Sequence, residues 1–332
     1  MTPPAFPDAA SVSPAFGSGL SAAPSLPLAS ASAAVPLSAP LMAEVSRLVR
    51  PRIAVMVLAT VLSAVWLTAG GVADWFLCLV LLVGTALVAA SSSIANQILE
   101  RDSDRLMQRT ATRPLAAGRL SVRTAWRVSI ATLVAGAVLV WSGGGPWATA
   151  AAVATWLLYI LAYTPLKRVT PLNTAVGAVA GALPVAIGWA AAGGPERLVG
   201  GDARTALAAA ALGTLLYLWQ FPHFMAIAWL YRKQYAAAGL RMLTVEDPSG
   251  LRAGGQSLAA SLAMIPASLV LAVPSGSIRL FVSAAVASLV YAVAAGGFAI
   301  RRDDESARTL LFTSLGCLLA LLTAVVLFGS PT

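Results

Sequence analysis

The chain has 332 residues, of which 58% are hydrophobic and 11% charged, with a net charge of +9. Soluble domains carry about 25% charge, so this composition excludes two water-soluble globules and describes a polytopic membrane protein. The single histidine, His223, excludes a multi-histidine metal or haem cage within one chain, and two cysteines in apolar runs exclude a disulfide framework or zinc spacing.

In chain order, residues 1–43 are mostly Ala, Pro and Ser with Asp8 as their only charge, the composition of a disordered tail. This stretch lacks the basic start of a signal peptide and the arginines of a mitochondrial presequence. Residues 44–332 then read as one membrane domain. A bilayer core needs about 20 apolar residues per helix. Nine runs approach that length: 53–70, 75–95, 125–142, 147–163, 173–193, 205–230, 257–274, 278–299 and 308–328. The fourth is short, and the sixth carries Gln220 and His223 near its end. The expected fold is all-α, a polytopic bundle of nine transmembrane helices.

Loop charge sets the orientation. With the N-terminus inside, 19 of the 22 Lys and Arg residues fall on the inner side, leaving Arg197, Arg204 and Arg279 outside. That asymmetry predicts an N-in, C-out topology. The +9 charge therefore reads as membrane orientation, with no nucleic-acid partner. Two inner connections, 96–124 and 231–256, are long and polar, and function concentrates on such loops above a rigid scaffold.

In the first of these loops Asn96, Glu100 and Asp104 recur at i, i+4 and i+8, one stripe of a continuing helix. Asp102 lies off the stripe. Stacked carboxylates suit Mg²⁺, which takes oxygen ligands and shares them with substrate phosphates. Arg109 and Arg113 follow at a spacing of four, and guanidinium forks match phosphate geometry. Two readings stand for this segment: a diphosphate grip, or a charged loop of i, i+4 ion pairs anchoring a helix at the interface. Lys167 and Arg168, in a short inner loop, read equally as positive-inside anchors. A lone histidine at a helix end is most simply a hydrogen-bonded structural residue, although Pro222 before His223 marks a broken, cavity-lining helix. Gly177, Gly181, Gly188 and Gly193 read as helix-packing positions, and Trp141, Trp147 and Trp156 as interface or packing aromatics.

The block N-x-x-x-E-x-D-x-D-x-x-M-x-R-T-x-x-R-P-L at 96–115 resembles the first signature of the UbiA superfamily of intramembrane prenyltransferases. The likeness continues in Y-T-P-L-K-R-V-T-P-L-N at 163–173, G-A-L-P-V-A-I-G-W at 181–189, W-Q-F-P-H-F at 219–224 and A-G-L-R-M-L at 238–243. Within the superfamily, R-T-x-x-R-P and W-Q-x-P-H-F resemble the protohaem IX farnesyltransferase (haem O synthase) branch rather than the quinone and chlorophyll branches. This resemblance implies farnesyl transfer from farnesyl diphosphate to a vinyl group of haem B, with water added, giving haem O and diphosphate. It implies Mg²⁺ on Asn96, Glu100 and Asp104, with Asp102 as an extra ligand. Arg109, Arg113, Lys167 and Arg168 would take diphosphate or haem propionate, and Trp219 and His223 the haem. A bacterial inner membrane, an active site facing the cytoplasm and a haem A synthase receiving the product are implied as well.

In the second loop the branch usually has an acidic residue before the tyrosine, where this chain has Lys233-Gln234-Tyr235. Either one Mg²⁺ suffices, with Arg232 and Lys233 supplying charge, or Glu246 and Asp247 swing in. A quinone-type prenyltransferase and a transporter are the competing functions. Clustered charge at one face and the absence of paired broken helices weigh against the transporter.

Overall fold

The computed structural model describes Glu44, residues 46–71 and residues 74–329, so the expected tail at 1–43 lies outside the described residues. Eight helical rods carry the fold, and no strand occurs among the described residues. They are α1 Pro51–Ala69, α2 Trp75–Leu99, α3 Val122–Leu166 and α4 Asn173–Ala191, and α5 Arg204–Leu230. The remaining three are α6 Leu251–Ala272, α7 Ile278–Arg301 and α8 Asp304–Phe328.

Rod α3 is two crossings. At Gly145 the backbone takes φ 73, ψ −171 immediately before Pro146, breaking the helix. A continuous helix would hold residues 129 and 156 roughly 40 Å apart. Instead Ser129 and Trp156 both reach one side chain: Ser91 Oγ donates to the Ser129 carbonyl at 2.8 Å and accepts from Trp156 Nε1 at 3.0 Å. The limbs are therefore an antiparallel hairpin turned at Gly145, and the rods make nine crossings, the number the sequence predicts. Trp156 is a packing residue, whereas Trp141 and Trp147 are exposed.

Close approach rests on small residues. On α2, a Cβ added at Gly84 would lie 2.9 Å from the Val140 backbone nitrogen, and one at Gly136 would lie 2.7 Å from the Gly84 carbonyl. That mutual fit lets α2 and the first limb of α3 touch backbone to backbone. Among the α4 glycines, Gly188 is the helix-packing position, because a Cβ there would meet the Val61 carbonyl of α1 at 2.3 Å. Gly177 and Gly181 instead make room for the Tyr163 ring and the Gln220 amide. Gly193 is a left-handed helix end (φ 80) rather than a packing contact.

The larger core lies among α5, α6, α7 and α8, around Leu212, Leu215, Met264, Tyr291 and Leu321. A second joins α1, α2, α3 and α4 around Val61, Leu81, Val140 and Ile187. Outward faces stay apolar, as lipid allows, with Val293 and Phe312 each 70% exposed. Helix ends overrun the expected hydrocarbon limits where caps permit. Helix α6 starts at Leu251 rather than 257 because Asp247 Oδ2 accepts the Arg252 amide at 2.8 Å. Helix α8 starts at Asp304 because Asp303 accepts the Ser306 amide at 2.7 Å. The connection between α7 and α8, expected between the runs 278–299 and 308–328, is therefore only Arg302 (φ 51) and Asp303.

Candidate active site

Regular helix in α2 ends at Leu99, and Glu100 (φ −92, ψ 2) opens a short turn, Arg101–Arg105. The i, i+4 ladder survives this break. Glu100 N donates to Asn96 O at 2.9 Å and Asp104 N to Glu100 O at 2.7 Å, so the three polar side chains stay on one stripe. All three are buried.

Each meets a partner from elsewhere in the chain. Arg50 Nη2 donates to Asn96 Oδ1 at 3.0 Å. Lys167 Nζ stands 2.6 Å from Glu100 Oε1. Arg113 Nη1 bonds both Asp104 oxygens, at 2.7 and 2.8 Å. Burial works against charge in all these groups. In the Glu100–Lys167 pair the partners prevail over it: Lys167 stands above the ordinary lysine range and Glu100 below the ordinary carboxylate range. In the Asp104–Arg113 pair burial prevails, lifting the Asp104 carboxyl and lowering the Arg113 guanidinium.

Local structure aims these groups. Helix α3 ends in a π-helical stretch, Leu158–Tyr163, a departure from α geometry common at functional sites. There Thr164 Oγ1 donates to Tyr159 O at 2.8 Å and accepts from Asn96 Nδ2 at 3.1 Å. The Lys167 ammonium lies 4.3 Å over the Tyr163 ring. Arg50 is delivered by the segment before α1, whose Leu48 carbonyl accepts from Ser93 Oγ (2.8 Å) and Gln97 Nε2 (2.6 Å) of α2. Arg50 and Thr164 were not among the residues expected at the site. Arg50 reads in sequence as one more inner-side positive charge, and only the Arg-Pro pair opening the first span sets it apart.

The two long loops meet. Arg109 N donates to Gln234 Oε1 at 3.3 Å, and Arg109 Nη2 to Tyr235 OH at 3.4 Å. Met107 packs with Tyr235, Leu240 and Met242 beneath that contact. Arg241 N donates to the Lys167 carbonyl at 2.7 Å, which ties the second loop to the Lys167 turn.

Other expected residues stand apart from this cluster. Asp102 is exposed and pairs with Arg101 and Arg105. Arg232 turns to the Trp229 carbonyl and to Asp304 at 2.8 Å. Arg168 and Lys233 are exposed, and neither side chain makes a hydrogen bond or ion pair among the described residues. Glu246 sits 3.6 Å from Arg241, and Asp247 caps α6, so neither joins the stripe. Trp219 and His223 pack against α7 and α8: Trp219 Nε1 donates to the Ser314 carbonyl at 2.7 Å, and the two rings stack with centroids 4.9 Å apart.

Asn96, Glu100 and Asp104 offer the hard oxygen donors that Mg²⁺ takes. Among the described residues no group of three His, Cys, Asp or Glu could hold a metal alone. The stripe therefore fits a Mg²⁺ that shares its ligands with a substrate phosphate. Three chain cations (Arg50, Lys167, Arg113) face two carboxylates, leaving the buried cluster one positive charge in excess before Arg109 is counted.

A bundle of nine apolar crossings with this polar cluster at one end is matched by the profile of the UbiA prenyltransferase family over residues 57–325. The chain belongs to that family. Within it, the chain is 40% identical over 295 residues to the protoheme IX farnesyltransferase of Rhodopirellula baltica, covering 85% of this chain and 99% of that protein. Among solved structures it is similar to a digeranylgeranylglyceryl phosphate synthase (TM-score 0.69, 15% identity, covering 88% of this chain and 99% of that one). A UbiA homologue from Archaeoglobus fulgidus bound to GPP and Mg²⁺ matches with TM-score 0.61 and 19% identity, over 85% of this chain and 99% of that one.

Proposed function

We propose that this protein transfers the farnesyl group of farnesyl diphosphate to a vinyl group of haem B, with addition of water, giving haem O and diphosphate. The observation that carries the reading is the buried cluster of Asn96, Glu100, Asp104, Arg50, Lys167 and Arg113 at one end of an apolar bundle. Its one excess positive charge, together with a divalent cation, balances a fully ionised prenyl diphosphate. The relative from Rhodopirellula baltica supports the choice of haem as acceptor.

The allylic carbon–oxygen bond breaks, and its electron pair leaves with diphosphate. The vinyl π bond attacks the allylic cation, water closes on the adjacent vinyl carbon, and one proton is released. Mg²⁺, when bound at Asn96, Glu100 and Asp104, supplies positive charge where the leaving group gains negative charge. Lys167, Arg113 and Arg109 take diphosphate oxygens, and Lys167 exchanges Glu100 for the anion. Gln234 and Tyr235 fix Arg109 from the second loop, which leaves a single metal site. The apolar bundle excludes bulk water that would quench the cation.

The site lies on the cytoplasmic face of a bacterial cell membrane, as the inner-side excess of Lys and Arg supports. Residues 44–332 form the enzyme, and a haem A synthase takes the product. Purified protein given haem B, farnesyl diphosphate and Mg²⁺ yields farnesylated haem, read by mass spectrometry. Absence of that product across varied conditions overturns the assignment.

A further inference from the structure

Three anchors hold the chain just ahead of α1. Glu44 is buried, and two guanidinium groups hold its carboxylate: Arg47 Nη1 donates to Oε1 at 2.8 Å and Arg119 Nε to Oε2 at 3.0 Å. Leu48 is enclosed among Ile94, Leu115, Leu120 and Ala125, which belong to α2, the first loop and the start of α3. Its carbonyl takes the Ser93 and Gln97 bonds. The third anchor is Arg50 on Asn96.

Arg119 joins this strap to the first loop. While its Nε faces Glu44, its Nη2 donates to the Thr112 carbonyl at 2.8 Å, one residue before the Arg113 that grips Asp104. A planar guanidinium fork can bridge two such acceptors, and a buried carboxylate is costly unless paired and hydrogen-bonded. One ion pair therefore ties the segment that delivers Arg50 to the turn that delivers Arg113.

Arg50 in turn fixes the Asn96 amide. Arginine only donates, so it faces Oδ1, and Nδ2 faces Thr164 Oγ1, whose own proton goes to the Tyr159 carbonyl. One Oδ1 lone pair is taken by Arg50, and the second remains for a metal ion.

We infer that Glu44 and Arg119 are positioning residues of the diphosphate site: their ion pair sets Arg50 against Asn96 and Arg113 against Asp104. This rests on the Mg²⁺-dependent use of farnesyl diphosphate proposed above.

The test is calorimetric titration of full-length protein with farnesyl diphosphate in Mg²⁺, run beside the farnesylation assay. Glu44→Gln and Arg119→Met each weaken binding about 10-fold, the scale on which groups behind a metal ligand act. KM for farnesyl diphosphate and the Mg²⁺ concentration for half-maximal rate rise with it, while haem B affinity is unchanged. Adding Glu44→Gln to Arg50→Met weakens binding no further than about 2-fold, the ordinary error of additivity, because Glu44 acts through Arg50. Arg119→Met keeps part of its effect in that background, through Arg113. If Glu44→Gln fails to fold, Arg119→Lys carries the test: it keeps a charge facing Glu44, gives up the fork to Thr112, and still weakens binding. Unchanged binding, Glu44→Gln and Arg50→Met losses that multiply as independent structural damage does, or a parallel fall in haem B affinity overturns the inference. Wild-type protein that binds farnesyl diphosphate but makes no farnesylated haem overturns the proposed function alone. No binding by the wild type overturns both.

Discussion

The Glu100–Lys167 pair makes the sharpest prediction about the site. The charges stand 2.6 Å apart, with side chains 11% and 10% exposed. At an effective dielectric of about 20 their attraction is on the order of 6 kcal/mol. Desolvating both ions costs several kcal/mol each, so the pair as a whole is close to neutral for stability. Breaking it is different. Lys167→Met leaves the Glu100 carboxylate buried beside one guanidinium, and Glu100→Gln leaves the Lys167 ammonium buried, each costing about 3–5 kcal/mol. The double variant Glu100→Gln/Lys167→Met strands neither charge and returns to within about 1 kcal/mol of the parent, a coupling well beyond ordinary additivity. Equilibrium unfolding in detergent reads the stabilities, and product formation is measured on the same samples. Turnover stays lost in the double variant, since both the proposed metal ligand and the proposed diphosphate cation are gone. Additive destabilisation in the double variant would refute the pairing, and restored turnover would refute the catalytic roles.

Asp104→Asn ends farnesyl transfer but leaves the haem B absorption spectrum of the loaded protein unchanged. If turnover survives, Asp104 is not a metal ligand. Removing Mg²⁺ with a chelator stops the reaction, and adding it back restores the rate. Full activity in excess chelator excludes a metal-assisted departure. Gly188→Val places its Cβ against the Val61 carbonyl, 2.3 Å away, and destabilises the protein by about 1–3 kcal/mol through overpacking. Gly213→Ala, where nothing lies within 4 Å, shifts stability by less than about 0.5 kcal/mol. Similar melting curves for these two variants would remove the close α1–α4 contact.

The crossings were legible because lipid demands long apolar runs, a one-dimensional property. The Gly145 hairpin could be read from Gly-Gly-Gly-Pro between two such runs. Helix ends were less legible, since α6 and α8 extend into polar sequence on the strength of single caps, Asp247 and Asp303. At the site, the Asn96–Asp104 stripe followed from i, i+4 periodicity, which the break at Glu100 leaves intact. Of its partners, Arg113 followed from the same loop, Lys167 came only from the family resemblance, and Arg50 was not expected. Arg50 and Lys167 come from positions 46 and 67 residues away along the chain, and nothing in their local pattern distinguishes a site cation from a topology signal. Arg232 and Lys233 show the reverse: the same residue type in an equally suggestive loop, with one bound to Asp304 and the other turned to solvent.

The contact between Arg109 and Gln234 spans 125 residues of sequence. At about 5–20 residues per second of synthesis, its two halves leave the ribosome roughly 6–25 s apart. Within that interval Arg113 follows Asp104 after 9 residues and Lys167 follows Glu100 after 67, so both carboxylates gain their partners before residue 234 is made. Arg109, by contrast, waits for its partners on the second loop. A chain interrupted between residues 167 and 234 would therefore hold a neutralised stripe with an unfinished anion grip. On the proposed reading, the anion grip is complete only once the second loop has been made.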